Sequence, residues 1–298
     1  MTRSAGARSA GARSVVVTGA NSGIGLATVL ELAGAGYDVI GVVRSEGKAA
    51  VVQSAAKEKG RTVRTVQLSV DDAPSTESGF AQIVAMTDGG PWALVNNAGF
   101  AQSGAVEDVS DQQARAQLET NVLAPIRLAR LALPGMRTRG EGRILNISSV
   151  AGRLSTPLMG WYSASKHALE AVTDALRIEV EPDGIRVTLI EPGMFGTDIW
   201  SAARTGGFPA PSTARYGAAY ARAASLADRT DALPNPVWVA RTVRLALANP
   251  LPLARYVVGA DAVGGILTER LAPTALSDYL KAVATGLRPT RLRTPFRR

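Results

Sequence analysis

The chain predicts an α/β fold: a single doubly wound domain with a mainly parallel sheet of about seven strands and helices on both faces. Three observations point there. Short apolar runs of strand length alternate with longer helical segments along most of the 298 residues. Glycine-, proline- and serine-rich turns separate them. The apolar fraction of 46% is ample to bury a core without crosslinks.

Residues 1–13 repeat Ser-Ala-Gly-Ala-Arg with Arg3, Arg8 and Arg13 and no acid, which predicts a disordered basic arm. Order is expected from Ser14, and residues 14–262 are read as the domain. Ser14–Thr18 is a buried strand. The loop Gly19-Ala-Asn-Ser-Gly-Ile-Gly25 follows, and Leu26–Ala33 is a helix that Gly34 and Gly36 stop. Tyr37–Val43 is a second strand, Glu46–Lys59 a helix and Val63–Leu68 a third strand. A helix around Ser75–Thr87 leads to strand Trp92–Val95. Asp111–Leu133 is one long helical pattern, and Arg143–Ile147 a fifth strand. A helix through Tyr162 runs to Val180 and ends at Pro182-Asp-Gly184. Ile185–Ile190 is the sixth strand. From about 194 to 236 the pattern weakens into a segment rich in Ala, Gly, Pro and Ser, read as a substrate loop. Val237–Ala248 is a helix and Arg255–Val258 a seventh strand. Residues 263–298 are an extension with a basic tail.

The absence of cysteine excludes disulfides and thiolate metal sites, and no metal centre is expected. No apolar run of the 18 or so residues needed to cross a membrane is present, and no apolar leader precedes Ser14. The formal charge of +8 is terminal: residues 1–13 and 281–298 together hold +9, and residues 14–280 hold −1. A neutral body argues against a nucleic-acid partner. These features together predict a cytoplasmic protein.

Candidate chemistry centres on Tyr162-Ser-Ala-Ser-Lys166. Four residues apart on a helix, the phenol and the ammonium share one face. The nearby positive charge is expected to lower the phenol pKa, so that the pair serves as a general acid–base. His167, the one histidine, points off that face. The strand, glycine loop and helix at residues 14–33 form an arrangement that binds a dinucleotide. Its glycines admit the pyrophosphate, and the helix N-terminus supplies N–H donors and a positive dipole end. Asn96-Asn-Ala-Gly99, Ser148-Ser149 and Pro192-Gly193 with Thr197 follow the ends of strands four, five and six, where ligands of open α/β sheets bind. Asn121 instead lies inside a helix. Pro125, four residues on, has no N–H to give its carbonyl.

This combination resembles the short-chain dehydrogenase/reductase family, with its Rossmann fold, over roughly Ser14 to Val258. The resemblance extends to the longer steroid/retinol-dehydrogenase-like or carbonyl-reductase-like members. It implies hydride transfer between NADP(H) and a carbonyl or secondary alcohol, with a hydrophobic substrate. Tyr162 then donates and accepts the proton, Ser149 binds the substrate oxygen, Lys166 binds the nicotinamide ribose, and Asn121 completes a proton relay. The cofactor is implied to touch Gly19, Asn21, Ser22, Gly23, Ile24, Gly25, Asn97, Ala98, Gly99, Tyr162, Lys166, Pro192, Gly193 and Thr197. Ser69-Val70 stands where the family often has Asp-Val against the adenine. Val43 stands where NAD enzymes carry a ribose-binding acid, and Arg44 follows it. That pairing implies NADP(H) in preference to NAD(H). Two other readings share parts of the pattern. A sugar-nucleotide epimerase or dehydratase shares the Tyr–Lys pair, and a non-catalytic NADP-sensing protein shares the cofactor loop. The resemblance also implies a homodimer or homotetramer built on the Asp111–Leu133 and Gly160–Val180 helices.

Overall fold

The computed structural model describes residues 12–197, 199, 215–227 and 233–287. Seven strands form one parallel sheet in the order β3-β2-β1-β4-β5-β6-β7. They are β1 (Ser14–Thr18), β2 (Asp38–Val43), β3 (Arg64–Gln67), β4 (Ala93–Asn96), β5 (Gly142–Ile147), β6 (Ile185–Pro192) and β7 (Arg255–Val258). The predicted strands are all present, within a residue or two at each end.

Strand alternation divides the interior in two. Val15, Val17, Val39 and Val43 face helices α1 (Gly23–Gly34), α2 (Glu46–Glu58) and α8 (Val237–Ala248). Val16, Ile40, Val42 and Leu94 face α3 (Ala73–Met86) and α5 (Ala124–Arg139). Both faces are covered, so the strands read as unbroken apolar runs. Caps punctuate the helices. Asp72 accepts the Ser75 N–H at 2.8 Å to start α3, and a Ser110/Gln113 capping box starts α4 (Asp111–Leu118).

The long Asp111–Leu133 pattern resolves into more than one helix. Between α4 and α5 the chain makes a π-helical turn, Glu119–Leu123, in which the Ala124 N–H donates to the Glu119 carbonyl. A single π turn inside an otherwise continuous helical run carries no residue signal of its own, so the sequence pattern does not mark it. The helix also runs past Pro134 to Arg139. Gly135 sits so close to the preceding loop that a Cβ there would lie 2.1 Å from the Gly89 oxygen. Arg139 donates to the Gly90 carbonyl at 2.9 Å and the Pro91 carbonyl at 2.5 Å. Tertiary packing thus outweighs the local proline signal.

Two further differences concern the C-terminal third. The weak segment contains a helix, α7 (Gly217–Ala227). Its alanines favour helix but give no apolar period. It is held instead by the Tyr220 hydroxyl, which accepts the Ala105 N–H at 2.8 Å and donates to Asp108. The extension begins as a helical pair, α9 (Ala260–Leu271) and α10 (Thr274–Thr285). At the other end, Arg13 stacks 4.5 Å over the Trp92 ring, and its carbonyl accepts the Asp38 N–H. Residues 1–11 and 288–298 lie outside the described residues. Among those described, no helix is long and apolar enough to cross a membrane.

A buried polar chain ties the centre together. Asn96 Nδ2 donates to Asn146 Oδ1 at 2.8 Å and to the Pro125 carbonyl at 3.2 Å, and Asn146 Nδ2 donates to Thr173 Oγ1 at 2.9 Å. These bonds link β4, β5, α5 and α6 (Gly160–Val180). Asn96→Ala strands two buried acceptors and should destabilise the protein by about 1–3 kcal/mol, read as a lower urea midpoint at unchanged m-value.

Candidate active site

The carboxyl ends of β1 to β6 open on one cavity of about 910 Å³. Its first wall is the glycine loop. Gly19 has φ +64° and Gly23 φ +52°, values that L side chains rarely adopt. The Thr18 hydroxyl sets the neighbouring turn, accepting the Asn97 and Ala98 N–H groups, each at 2.9 Å. Asn97 Nδ2 donates back to the Thr18 carbonyl at 2.9 Å. Gly19, Asn21, Ser22, Gly23, Ile24, Asn97, Ala98 and Gly99 all line the cavity. Gly25 stands behind it: a Cβ there would lie 2.1 Å from the Gly19 oxygen, so glycine allows the helix to close on the loop. A bare backbone cradle at a helix N-terminus fits a pyrophosphate.

The second wall lies at the ends of β2 and β3. Val43 is buried, and Arg44 and Lys48 line the cavity beyond it. Lys48 is a second cation beside Arg44 that strand-end matching missed, because it belongs to the first turn of α2. Glu46 does not line the cavity. Val70 does, but Ser69 turns away: its N–H donates to Ser75 Oγ at 2.9 Å and its hydroxyl to Asp71 Oδ1 at 2.5 Å. Asp71, two residues on, reaches the cavity instead.

Ser149, Tyr162 and Lys166 converge on the third wall. Ser149 leaves β5, and the Ala151 N–H donates to its hydroxyl at 3.1 Å. Tyr162 and Lys166 project from α6, both buried. Lys166 Nζ donates to the Ile147 carbonyl at 2.8 Å and lies 5.8 Å from the Tyr162 ring centroid. Burial dominates both groups. It pushes the Tyr162 phenol up to about 12, against a hydrogen bond from Ser149. It pushes the Lys166 ammonium down to about 8, against the charge of Glu170. The expected lowering of the phenol pKa by Lys166 is not what the buried site gives: burial raises it, and the Ser149 hydrogen bond opposes the rise. His167 is exposed, with Nδ1 at 2.9 Å from the Ser163 carbonyl.

Asn121 is buried in the π turn and does not line the cavity. Its Oδ1 accepts the Phe100 N–H at 3.2 Å, and its Nδ2 donates to the Phe100 carbonyl at 3.1 Å and to Ser165 Oγ at 3.0 Å. The side chain therefore fastens the loop after β4 to the helix of Tyr162 and Lys166. Behind α6 lies a buried ionic cluster. Arg255 contacts Glu170 at 3.0 Å and Glu191 at 3.1 Å, and Arg153 contacts Glu191 at 3.1 Å. Burial, then the charge of Glu170, raises the Glu191 carboxyl pKa.

The short chain dehydrogenase family model matches residues 13–207. The chain belongs to the short-chain dehydrogenase family. This short-chain dehydrogenase is 36% identical over 252 residues to the NADPH-dependent 3-dehydrocapnine reductase of Ornithobacterium rhinotracheale, covering 83% of this chain and 88% of the relative. Its fold matches a short-chain dehydrogenase from Streptomyces avermitilis at TM-score 0.74 and 32% identity, over 93% of this chain and 98% of that one. It also matches a point variant of actinorhodin polyketide ketoreductase with NADPH at TM-score 0.71 and 28% identity, over 86% and 97%.

Pro192, Gly193 and Thr197 also line the cavity of this short-chain dehydrogenase, and the turn they form is held from far along the chain. Asp261, in the first turn of α9, accepts the Met194 N–H at 2.7 Å. Its carboxylate is so close that a Cβ on Gly193 or Gly259 would lie 2.3 or 2.5 Å from it. Nothing in the local sequence marks Asp261; only the return of α9 to the sheet end brings it there. Asp261→Ala should loosen this turn and weaken NADPH binding up to about tenfold in a fluorescence titration. Asp261→Asn, which keeps an acceptor oxygen, should retain most of the affinity.

Proposed function

We propose that this oxidoreductase is an NADP(H)-dependent carbonyl reductase or secondary-alcohol dehydrogenase acting on a hydrophobic substrate. The observation that carries the reading is the shared cavity. Tyr162, Lys166 and Ser149 line it together with a glycine cradle and the cations Arg44 and Lys48. The cradle and the cations fit a dinucleotide with an extra phosphate, and no acid stands at Val43 to repel that phosphate. The name of the reductase relative supports the same cofactor. Phe100, Leu154, Leu158, Met159 and Phe195 line the same cavity and suit an apolar substrate.

Bound NADPH supplies the hydride. In the reductive direction Tyr162 gives its proton to the substrate oxygen. The phenol is protonated at neutral pH and so carries the proton that the substrate oxygen takes. Ser149 hydrogen-bonds the same oxygen and orients it. Lys166, still mainly charged at pH 7 with a pKa of about 8, stabilises the phenolate that remains. Asn121 keeps α6 in register with the loop after β4 through Ser165 and Phe100. A purely sensing role would not require Ser149, Tyr162 and Lys166 together at one wall, and an epimerase shares the Tyr162–Lys166 pair but gains nothing from the apolar lining of Phe100, Leu154, Leu158, Met159 and Phe195. Exposed Leu123, Val172 and Ile178 on the α4–α5 and α6 helices support a homodimer or homotetramer built there.

The test is loss of NADPH absorbance against a panel of apolar ketones and aldehydes. The unaltered enzyme should turn over at least one class. Tyr162→Phe should lower kcat by about 10²–10⁴-fold with NADPH affinity nearly unchanged. Undiminished turnover by that variant would remove Tyr162 from the chemistry.

Cofactor choice has its own test. The unaltered enzyme should favour NADPH over NADH by at least about tenfold in kcat/KM, equivalent to ~1.4 kcal/mol. Arg44→Ala should erase most of that preference through the KM for NADPH. Equal use of NADH by the unaltered enzyme would contradict it.

A further inference from the structure

The C-terminal helical pair turns apolar residues outward. On α9, Val263, Leu267 and Leu271 follow one another at intervals of four, which stacks them on one face. On α10, Leu276, Leu280 and Val283 do the same at intervals of four and three. All six are between 43% and 74% exposed. Leu271 and Leu276 bracket the short Ala272-Pro273 link, so the two stripes meet at the turn. A contiguous exposed apolar surface on a folded protein marks a contact with something else.

The charges around the stripes indicate what that contact is. Arg270 flanks the α9 stripe. The acids of the pair are turned elsewhere. Glu269 is bound by Lys281 at 2.7 Å and by Ser277 at 2.8 Å, and Asp261 by the Met194 N–H. Asp278 lies two positions from both Leu276 and Leu280, on the opposite side of α10. Directly after the pair, residues 288–298 carry Arg288, Arg291, Arg293, Arg297 and Arg298 and no acid. An apolar helix face flanked by Arg270, in a chain whose following residues carry five arginines, has the composition of a segment that lies on an anionic lipid surface.

The same helix pair reaches the cavity. Ala284 and Thr285 line it at the end of α10, next in sequence to Val283, and Arg222 and Ala223 of α7 line it as well. We propose that the outer faces of α9 and α10 dock this protein on anionic membrane surfaces, with the α10 side of its cavity turned to the lipid. An apolar carbonyl substrate, which rests on the function proposed above, would then reach the cavity from the bilayer without crossing water.

The experiment is co-sedimentation of the full chain with vesicles of phosphatidylcholine alone and of phosphatidylcholine containing phosphatidylglycerol. It reads binding and not turnover, so its failure is distinct from failure of the carbonyl reductase reading. The mixed vesicles should bind the protein at least about tenfold more tightly, with the excess falling as salt rises. Leu267→Glu/Leu271→Glu and Leu276→Glu/Leu280→Glu should each lower that binding by about tenfold or more. Unchanged circular dichroism and NADPH binding would establish that the variants are folded. Replacing Arg291, Arg293 and Arg297 by Ser should lower binding to the mixed vesicles alone. The proposal is overturned if the unaltered chain sediments with neither vesicle, or equally with both. It is overturned too if the folded Glu variants bind as before. A lower molar mass of those variants in light scattering, with vesicle binding unchanged, would assign the stripes to a second copy instead.

Discussion

The parallel pairing of β1 with β4 is the constraint on which the rest depends. Val15–Val17 pair with Ala93–Val95 at the middle of the sheet, and strand order runs outward from there in both directions. A right-handed crossover must then leave β1 on one face and β4 on the other. The two chains part at Gly19 and Asn97, and the crevice between them is the start of the cavity. Thr18 bridges that parting, with one hydroxyl serving two N–H groups of the β4 turn. The glycine cradle, the Asn97 turn and the end of β5 fall on one rim because the strands are parallel and in register.

Burial sets the electrostatics of the rim. Tyr162 and Lys166 project from the first two turns of α6 into a wall with little water, so each is pushed towards its neutral form. The result is a protonated phenol beside an ammonium whose pKa is lowered to about 8. The helix that carries them is pinned at its back by Arg255, which contacts Glu170, Asp174 and Glu191 from the last strand. Breaking one partner of so buried a cluster leaves an uncompensated charge, which makes it a strong constraint on geometry even if its net stabilisation is small.

The C-terminal helices complete the site rather than trail it. Asp261 holds the turn after β6, Gly265 packs against Leu154, and Ala284 and Thr285 wall the cavity. Part of the cavity wall and the outer apolar stripes therefore lie in the same elements.

The sequence by itself determined the seven strands and most of the rim. Apolar runs such as Ser14–Thr18 and Ile185–Ile190 are short, rich in β-branched residues and bounded by turn signals, which marks them as strands buried on both faces. Gly19, Gly23 and Gly25 announce a close backbone approach, and the interval from Tyr162 to Lys166 places both on one helical face. Such features depend on near neighbours along the chain, so periodicity and spacing carry them. The tertiary structure alone decided the rest. The π turn at Glu119–Leu123 has no residue signal of its own in the sequence. The continuation of α5 through Pro134 depends on its packing against Gly89. The helix at Gly217–Ala227 depends on two tyrosines meeting Glu107 and Asp108. Lys48, Asp71 and Asp261 reach the cavity, and Ser69 leaves it, through side-chain directions that no local pattern encodes. The phenol pKa belongs with these, since the interval to Lys166 predicts a lowering and burial raises it. Short-range order is a property of the chain, whereas desolvation and convergence exist only once distant segments have met.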